Sequence, residues 1–99
     1  MLVSTKIVDV GELYRYQGSM TPEQCRAARG WLDWSQNELA GAAHVSHSTV
    51  KDFETGKRVP IANNLAAMKA ALETEGIDFV DSGGTCGITY AKPEISEAH

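Results

Sequence analysis

Apolar residues recur every three or four positions through the middle of the chain, and this period predicts a run of short α-helices. Capping signals mark where two of them begin. Thr21 precedes Pro22 at the first helix, and Ser35 stands three residues before Glu38 in a capping box. Gly76 terminates the last apolar stripe. The predicted helices are about Pro22–Trp31, a second that begins at Ser35, His47–Glu54 and about Ile61–Glu75.

Beyond residue 76 the period shortens to that of strands. Ile77–Val80 and Gly87–Tyr90 are strand-like and are separated by six small or polar residues, which predicts a hairpin or a pair of edge strands. Near the N-terminus, the β-branched run Lys6–Val10 predicts a short strand. The residues from Pro93 onward are polar and are expected to fray.

These elements predict a mainly α protein with one folded domain. A helical domain over residues 20–76 follows an N-terminal extension, 1–19, and precedes a β segment and tail, 77–99. The chain has 99 residues, 42% of them hydrophobic, which suffices for one modest core. Cys25 and Cys86 lie far apart without metal-ligand spacing, so we expect two reduced thiols.

Composition also bears on location. The apolar runs are shorter than the roughly 18 residues that span a bilayer, so no membrane partner is expected. The N-terminus lacks the order of charge and hydrophobicity of a secretory signal, so we expect a cytoplasmic protein.

The net charge of −4 at first argues against a nucleic-acid ligand, but the charge is unevenly distributed. Residues 26–58 carry five basic and four acidic side chains, whereas residues 73–99 carry six acidic side chains and one lysine. The acidity is therefore concentrated in the C-terminal part of the chain. Modest, salt-sensitive DNA affinity is expected of a monomer.

The segment 36–54 has the composition of two short helices that cross tightly. A three- or four-residue turn between them requires a small residue on the first helix, here Ala40, and apolar plugs on the second, here Val50 and Phe53. Leu39 and Val45 fill the space between the two helices. The capped start of the second helix then points backbone amides and small polar side chains outward, as in a helix that enters the major groove.

Eight residues of the two crossing helices and the turns next to them form a family pattern: Gln36, Leu39, Ala40, Val45, Ser46, Val50, Glu54 and Gly56. With these residues, the chain from residue 21 to 76 resembles the Cro/Xre-type phage-repressor family. The resemblance implies a four- or five-helix domain, a dimer, an inverted-repeat operator in double-stranded DNA and thus a nucleoid-associated protein.

The resemblance also implies roles for single residues. Base contacts are expected from Ser46, His47, Ser48, Lys51 and Asp52, and phosphate contacts from Gln36, Lys57, Arg58 and Asn63. Arg29 and Glu54 are expected to form a structural ion pair. His47 and Lys51 could donate to guanine O6 or N7, and Asp52 could accept from cytosine N4. The family usually has glycine at a positive-φ turn position where this chain has His44, a residue that tolerates such a backbone better than most.

The sequence thus predicts a sequence-specific transcriptional regulator, acting mainly as a repressor. Dimerisation is expected through Phe79, Val80, Ile88 and Tyr90 of the C-terminal strands. The alternative is a protein-interaction module of the same fold, such as an antiactivator or an autoregulating antitoxin, with a regulatory protein as partner. No catalytic, cofactor or metal motif is recognised, so no enzyme is expected.

Overall fold

The computed structural model describes residues 20–92 and confirms a mainly α fold with a C-terminal hairpin. The strand predicted over Lys6–Val10 and the tail from Pro93 lie outside the described residues. None of the helices described is long and apolar enough to cross a membrane. The elements are α1 (Pro22–Leu32), α2 (Gln36–Ala43), α3 (His47–Glu54), α4 (Ala62–Thr74), β1 (Ile77–Ser82) and β2 (Thr85–Tyr90).

Capping boxes begin both α1 and α2. The Thr21 hydroxyl accepts from the Gln24 amide N–H while the Gln24 side chain accepts from the Thr21 amide N–H. Ser35 and Glu38 form the same reciprocal pair at α2, as the sequence predicts. Each box supplies acceptors for amides that a helix start leaves without partners, so the two helix starts are fixed locally.

The turn between α2 and α3 has three residues, and His44 occupies its left-handed position with φ 59° and ψ 43°. The predicted positive φ at this non-glycine residue is therefore confirmed. The next amide, that of Val45, donates to the Ala40 carbonyl and closes the end of α2. The turn keeps the two helices in a tight crossing.

The core lies where all four helices and the start of β1 meet. Its largest fully buried side chains are Cys25, Leu39, Val50, Met68, Leu72 and Ile77. The spacing of apolar residues along the sequence places Ile61 in line with Leu65 and Ala42 next to Ala43 on core-facing stripes, but Ile61 and Ala42 do not reach the core. Ile61 precedes α4 as its N-cap and is 68% exposed, and Ala42 lies on the outer side of α2, where Ala40 is buried instead.

The hairpin pairs β1 with β2 in antiparallel register, from Ile77 opposite Tyr90 to Ser82 opposite Thr85. Both strands extend two residues further toward the turn than the sequence predicts, because Gly83 and Gly84 form a two-residue connection with φ 53° and 86°. Two positive φ values in succession are typical of the turn that matches strand twist.

Phe79 and Ile88 pack against the core of their own chain. Both side chains are only partly buried there, so part of each is left for contact with a second copy. Side chains two apart on a strand share a face, so Phe79 follows the buried Ile77 onto the helices. Val80 is half-buried on the other face, and Tyr90 is 38% exposed beside Trp31, with ring centroids 5.5 Å apart.

The buried side chain of Gln24 joins α1 to the hairpin. Its Nε2 donates to the Val80 carbonyl at 3.0 Å and to the Gly87 carbonyl at 2.8 Å. Its Oε1 is already used in the capping box of α1. One amide therefore fixes a helix start and the position of both strands.

Candidate nucleic-acid interface

Helix α3 buries one face and leaves the other exposed at its N-terminal end. Val50 and Phe53 are buried against the core, and the exposed side chains of His47, Ser48 and Lys51 line the outer face. Polar side chains of this kind can donate to or accept from base edges. The short turn before α3 and its buried apolar face set the direction in which these side chains project.

Ser46 caps α3 and is engaged in the first turn. Its hydroxyl accepts from the Thr49 amide at 3.1 Å and lies 3.1 Å from the Ser48 hydroxyl and 2.8 Å from that of Thr49. Ser46 therefore has two effects. It supplies an acceptor for an unpaired amide at the start of α3, and its hydroxyl orients the hydroxyl of Ser48.

Glu54 ends α3 with a buried carboxylate that collects four hydrogen bonds. Arg29 donates from Nε to Oε2 at 2.7 Å and from Nη2 to Oε1 at 2.6 Å, a two-pronged ion pair. Gln36 donates from Nε2 to Oε1 at 3.0 Å, and the Cys25 thiol donates to Oε2 at 3.1 Å. One carboxylate of α3 is therefore hydrogen-bonded to both α1 and α2.

The surroundings of this carboxylate also determine the protonation states of Glu54 and Cys25. Burial alone would raise the pKa of Glu54, but the hydrogen bonds from Arg29, Gln36 and Cys25 outweigh burial and hold that pKa below its usual range. Burial, and then the neighbouring carboxylate, raises the pKa of the Cys25 thiol. Glu54 is thus ionised and Cys25 is a neutral thiol donor at neutral pH.

Gln36 connects the buried carboxylate to the exposed start of α3. Its Nε2 faces Glu54, and its Oε1 lies 3.2 Å from Nε2 of His47. Glu54, Gln36 and His47 form a continuous hydrogen-bonded chain, called here the Glu54–His47 chain. It runs from the core to the outer face of α3.

The loop after α3 is folded back on the end of that helix. The amides of Lys57 and Arg58 both donate to the Asp52 carbonyl, at 2.8 and 3.2 Å, after Gly56 turns the chain with φ 79°. Arg26 of α1 donates to the Glu54 carbonyl at 2.5 Å and places a positive charge at the C-terminus of α3. Both loop cations remain exposed on a backbone that is held in place.

The N-terminus of α4 lies next to this loop. Its N-cap, Ile61, makes no side-chain hydrogen bond to the helix, and Asn63 in the first turn is exposed. Uncapped amides and the helix dipole together favour an anion at such an end. A cleft of about 360 Å³ separates it from α3 and is lined by Ser48, Thr49, Asp52, Arg58, Pro60 and Asn64, among others.

Residues 23–78 match a family model described as a helix-turn-helix domain. The match covers more than half of the 99-residue chain. The chain belongs to the helix-turn-helix domain family. The membership agrees with the resemblance to the Cro/Xre-type repressors and indicates a DNA-binding regulatory protein. A comparison with curated proteins finds no match.

The helix-turn-helix domain brings the residues singled out from the sequence to neighbouring positions. Expected base-contact residues occupy the start and outer face of α3, and the expected phosphate-contact residues stand at the start of α2, in the loop after α3 and at the start of α4. Arg29 and Glu54 are paired in the interior.

Other parts of the domain had no signal in the sequence. Three hydrogen bonds to Glu54 join residues that are 18 to 29 positions apart in the sequence. Gln36 and the Cys25 thiol donate to its carboxylate, and Arg26 donates to its backbone carbonyl. Spacing along one helix does not report such contacts, because the crossing angle between helices decides them.

Proposed function

We propose that this helix-turn-helix protein is a sequence-specific transcriptional regulator, acting as a repressor, which binds an inverted-repeat operator as a homodimer inside the cell. Helix α3 is the recognition helix in this proposal. The carrying observation is that its outer face presents His47, Ser48 and Lys51 to solvent while the opposite face is fixed to the core.

The phosphate contacts of this proposal flank the recognition helix. Lys57 and Arg58 are exposed in the loop after it, and the uncapped start of α4 follows at Asn63. The second N–H of the Gln36 amide is free to donate to a phosphate while the first is bonded to Glu54. Contacts of this kind fix the register of a helix in the groove without reading sequence.

A second copy is needed for discrimination, because one short helix makes few base contacts. Two half-sites about one helical turn apart double the specific part of the binding free energy. We place the contact between copies at the hairpin, where Val80 on one face and Tyr90 on the other remain partly exposed.

The test of DNA binding is selection of bound duplexes from a random pool, followed by gel shifts at two salt concentrations. An enriched inverted repeat that is lost in the variant H47A/K51A supports direct readout. Reversing the loop charges with K57E/R58E should abolish binding while circular dichroism shows an unchanged fold. Weak binding without enrichment that disappears at moderate salt would contradict the proposal, since phosphate attraction alone behaves this way.

The proposed dimer contact is tested by sedimentation over a range of concentrations. Val80→Lys should weaken self-association, whereas Ala66→Lys on the exposed side of α4 should not. An unchanged association constant in Val80→Lys would remove the hairpin from the interface. Truncation before Ile77 is unsuitable for this purpose, because it would take a fully buried residue from the core.

A protein partner is the second candidate, and an exposed aromatic pair supports it. Trp31 is 61% exposed and Tyr90 is 38% exposed, and aromatic side chains are enriched at protein interfaces. Under this alternative, an antiactivator or autoregulating antitoxin would keep its partner when Lys57 and Arg58 are reversed and lose it when Trp31 is replaced by alanine.

A further inference from the structure

The Glu54–His47 chain has a fixed hydrogen-bond direction. Glu54 is buried and its carboxylate receives both prongs of Arg29, so it can only accept. The group of Gln36 that faces it must therefore be the amide nitrogen. Because a side-chain amide has one donor end and one acceptor end, the Gln36 oxygen is left to face His47.

The same order of donors and acceptors determines which nitrogen of the His47 imidazole carries the proton. Nε2 of His47 lies 3.2 Å from the Gln36 oxygen, which can only accept, so Nε2 must carry the proton. A neutral imidazole has one protonated nitrogen. Nδ1 of the exposed ring is then an acceptor with a lone pair.

We propose that the Glu54–His47 chain fixes His47 as an Nε2–H donor to Gln36, so that His47 reads an exocyclic amino group, adenine N6 or cytosine N4, through Nδ1. In the major groove these amino groups are the base donors, whereas guanine O6 and N7 only accept. The inference rests on the proposed function and deepens it, because it assigns a base chemistry to one position of the recognition helix.

This assignment differs from the simplest expectation for His47, donation to guanine. The ring nitrogen that would donate is already bonded to Gln36. A doubly protonated imidazolium would present a second donor, so the measurements belong at about pH 8, where histidine in general is neutral. Glu54 and Arg29 lie behind Gln36 in the hydrogen-bonded network, and Lys51 lies one turn along α3 from His47.

The hydrogen-bond direction of the Glu54–His47 chain is tested on the 99-residue protein without DNA. Long-range ¹H–¹⁵N spectra distinguish the two imidazole tautomers by the separate shifts of their protonated and unprotonated nitrogens. His47 should show one tautomer with the proton on Nε2. His44 is the internal control, because the structure gives its exposed side chain no hydrogen bond within residues 20–92 and it should show averaged shifts.

Two variants make the spectra decisive. Gln36→Ala removes the acceptor and should return His47 to averaged shifts, whereas Asn37→Ala, on the exposed side of the same helix, should not. A proton on Nδ1, or shifts of His47 that are averaged in the unmodified protein, would overturn the inference. This outcome does not depend on whether the protein binds DNA.

The base chemistry is tested with the enriched operator. One position of each half-site should require adenine or cytosine in the unmodified protein and lose that preference in His47→Ala. Replacing adenine there by purine, or cytosine by a base without the 4-amino group, should weaken binding between about threefold and tenfold, and the loss should vanish in His47→Ala. The two replacements also distinguish adenine from cytosine.

Failure of the base assignment and failure of the proposed function give different experimental results. A guanine preference that depends on His47, or an operator unchanged by His47→Ala, would overturn the base assignment while leaving the regulator intact. Absence of any enriched operator would contradict the proposed function and with it the assigned base contact. The spectra would still report whether the Glu54–His47 chain has the stated direction.

Discussion

At the scale of single residues, Glu54 determines how α3 is attached to the rest of the domain. Its side chain is 2% exposed and accepts from Arg29, Gln36 and Cys25. A buried charge is tolerated only when it is paired and fully hydrogen-bonded. Each donor comes from a different point of α1 or α2, so the carboxylate fixes both helices against the end of α3.

Removing the carboxylate should be costly and should change the acid dependence of stability. The pKa of Glu54 is lowered in the folded protein, so ionised Glu54 stabilises the fold fully above its ordinary value of about 4.3 and loses that contribution as the pH falls through the lowered value. We expect Glu54→Gln to lower the free energy of unfolding by about 3 kcal/mol at neutral pH. The decrease of that free energy between neutral and acid pH should also be less steep in this variant.

Urea unfolding followed by circular dichroism from about pH 7 to pH 3 measures this effect. Glu23→Gln removes one exposed carboxylate from α1 and is the matched control. If the free energy of unfolding falls equally steeply with acid pH in Glu54→Gln and in the unmodified protein, another group governs acid unfolding.

At the scale of elements, the turn between α2 and α3 carries local strain. His44 has φ 59°, a region that costs an L-residue about 1 kcal/mol and that glycine enters freely. We therefore expect His44→Gly to raise the free energy of unfolding by up to about 1 kcal/mol. Ala66→Gly, in the exposed middle of α4, should lower it by about 1 kcal/mol.

Comparison of the two glycine variants by urea unfolding separates turn strain from a general effect of glycine. A loss of stability in both would mean that the His44 side chain stabilises the turn by more than its backbone costs. Neither substitution touches the buried face of α3, so the exposed start of that helix should be preserved.

The joint between α1 and the hairpin depends on Gln24. Its Nε2 satisfies two strand carbonyls, those of Val80 and Gly87. Gln24→Met keeps the volume but removes the donors, and leaving buried carbonyls without partners costs about 1 to 3 kcal/mol. Urea unfolding should show this loss, and Glu23→Gln at the adjacent exposed position should show little. An unchanged free energy of unfolding in Gln24→Met would mean that water replaces the amide as donor to the two carbonyls.

At the scale of the whole molecule, DNA affinity has to overcome a net charge of −4. Few cations face the proposed operator, so each should be visible in the salt dependence. Lys57→Ala removes one phosphate contact from each subunit of a dimer. The slope of log Kobs against log salt should therefore become shallower by about 1.8, twice the value of about 0.9 for one contact.

Gel shifts over a range of salt concentrations give this slope. Lys92→Ala, an exposed lysine that follows β2, removes the same charge away from the loop after α3 and should leave the slope unchanged. If both variants shift the slope equally, net charge rather than a defined phosphate contact governs binding.

The sequence by itself determined the helices, the capped starts of the first three and the class of domain. These features depend on neighbours three or four residues apart, as at Ser35 and Glu38, or on one backbone position, as at His44. The family match over residues 23–78 confirms the domain that these local signals predict.

Only the tertiary structure decided which polar groups meet in the interior. Gln36 looks the same in the sequence whether its amide faces solvent, a phosphate or a carboxylate. It faces Glu54 because α2 and α3 cross at a short turn, and Phe79 faces inward because the hairpin folds back over the helices. Contacts between distant segments depend on how packed elements cross, and that geometry is set by the whole core at once.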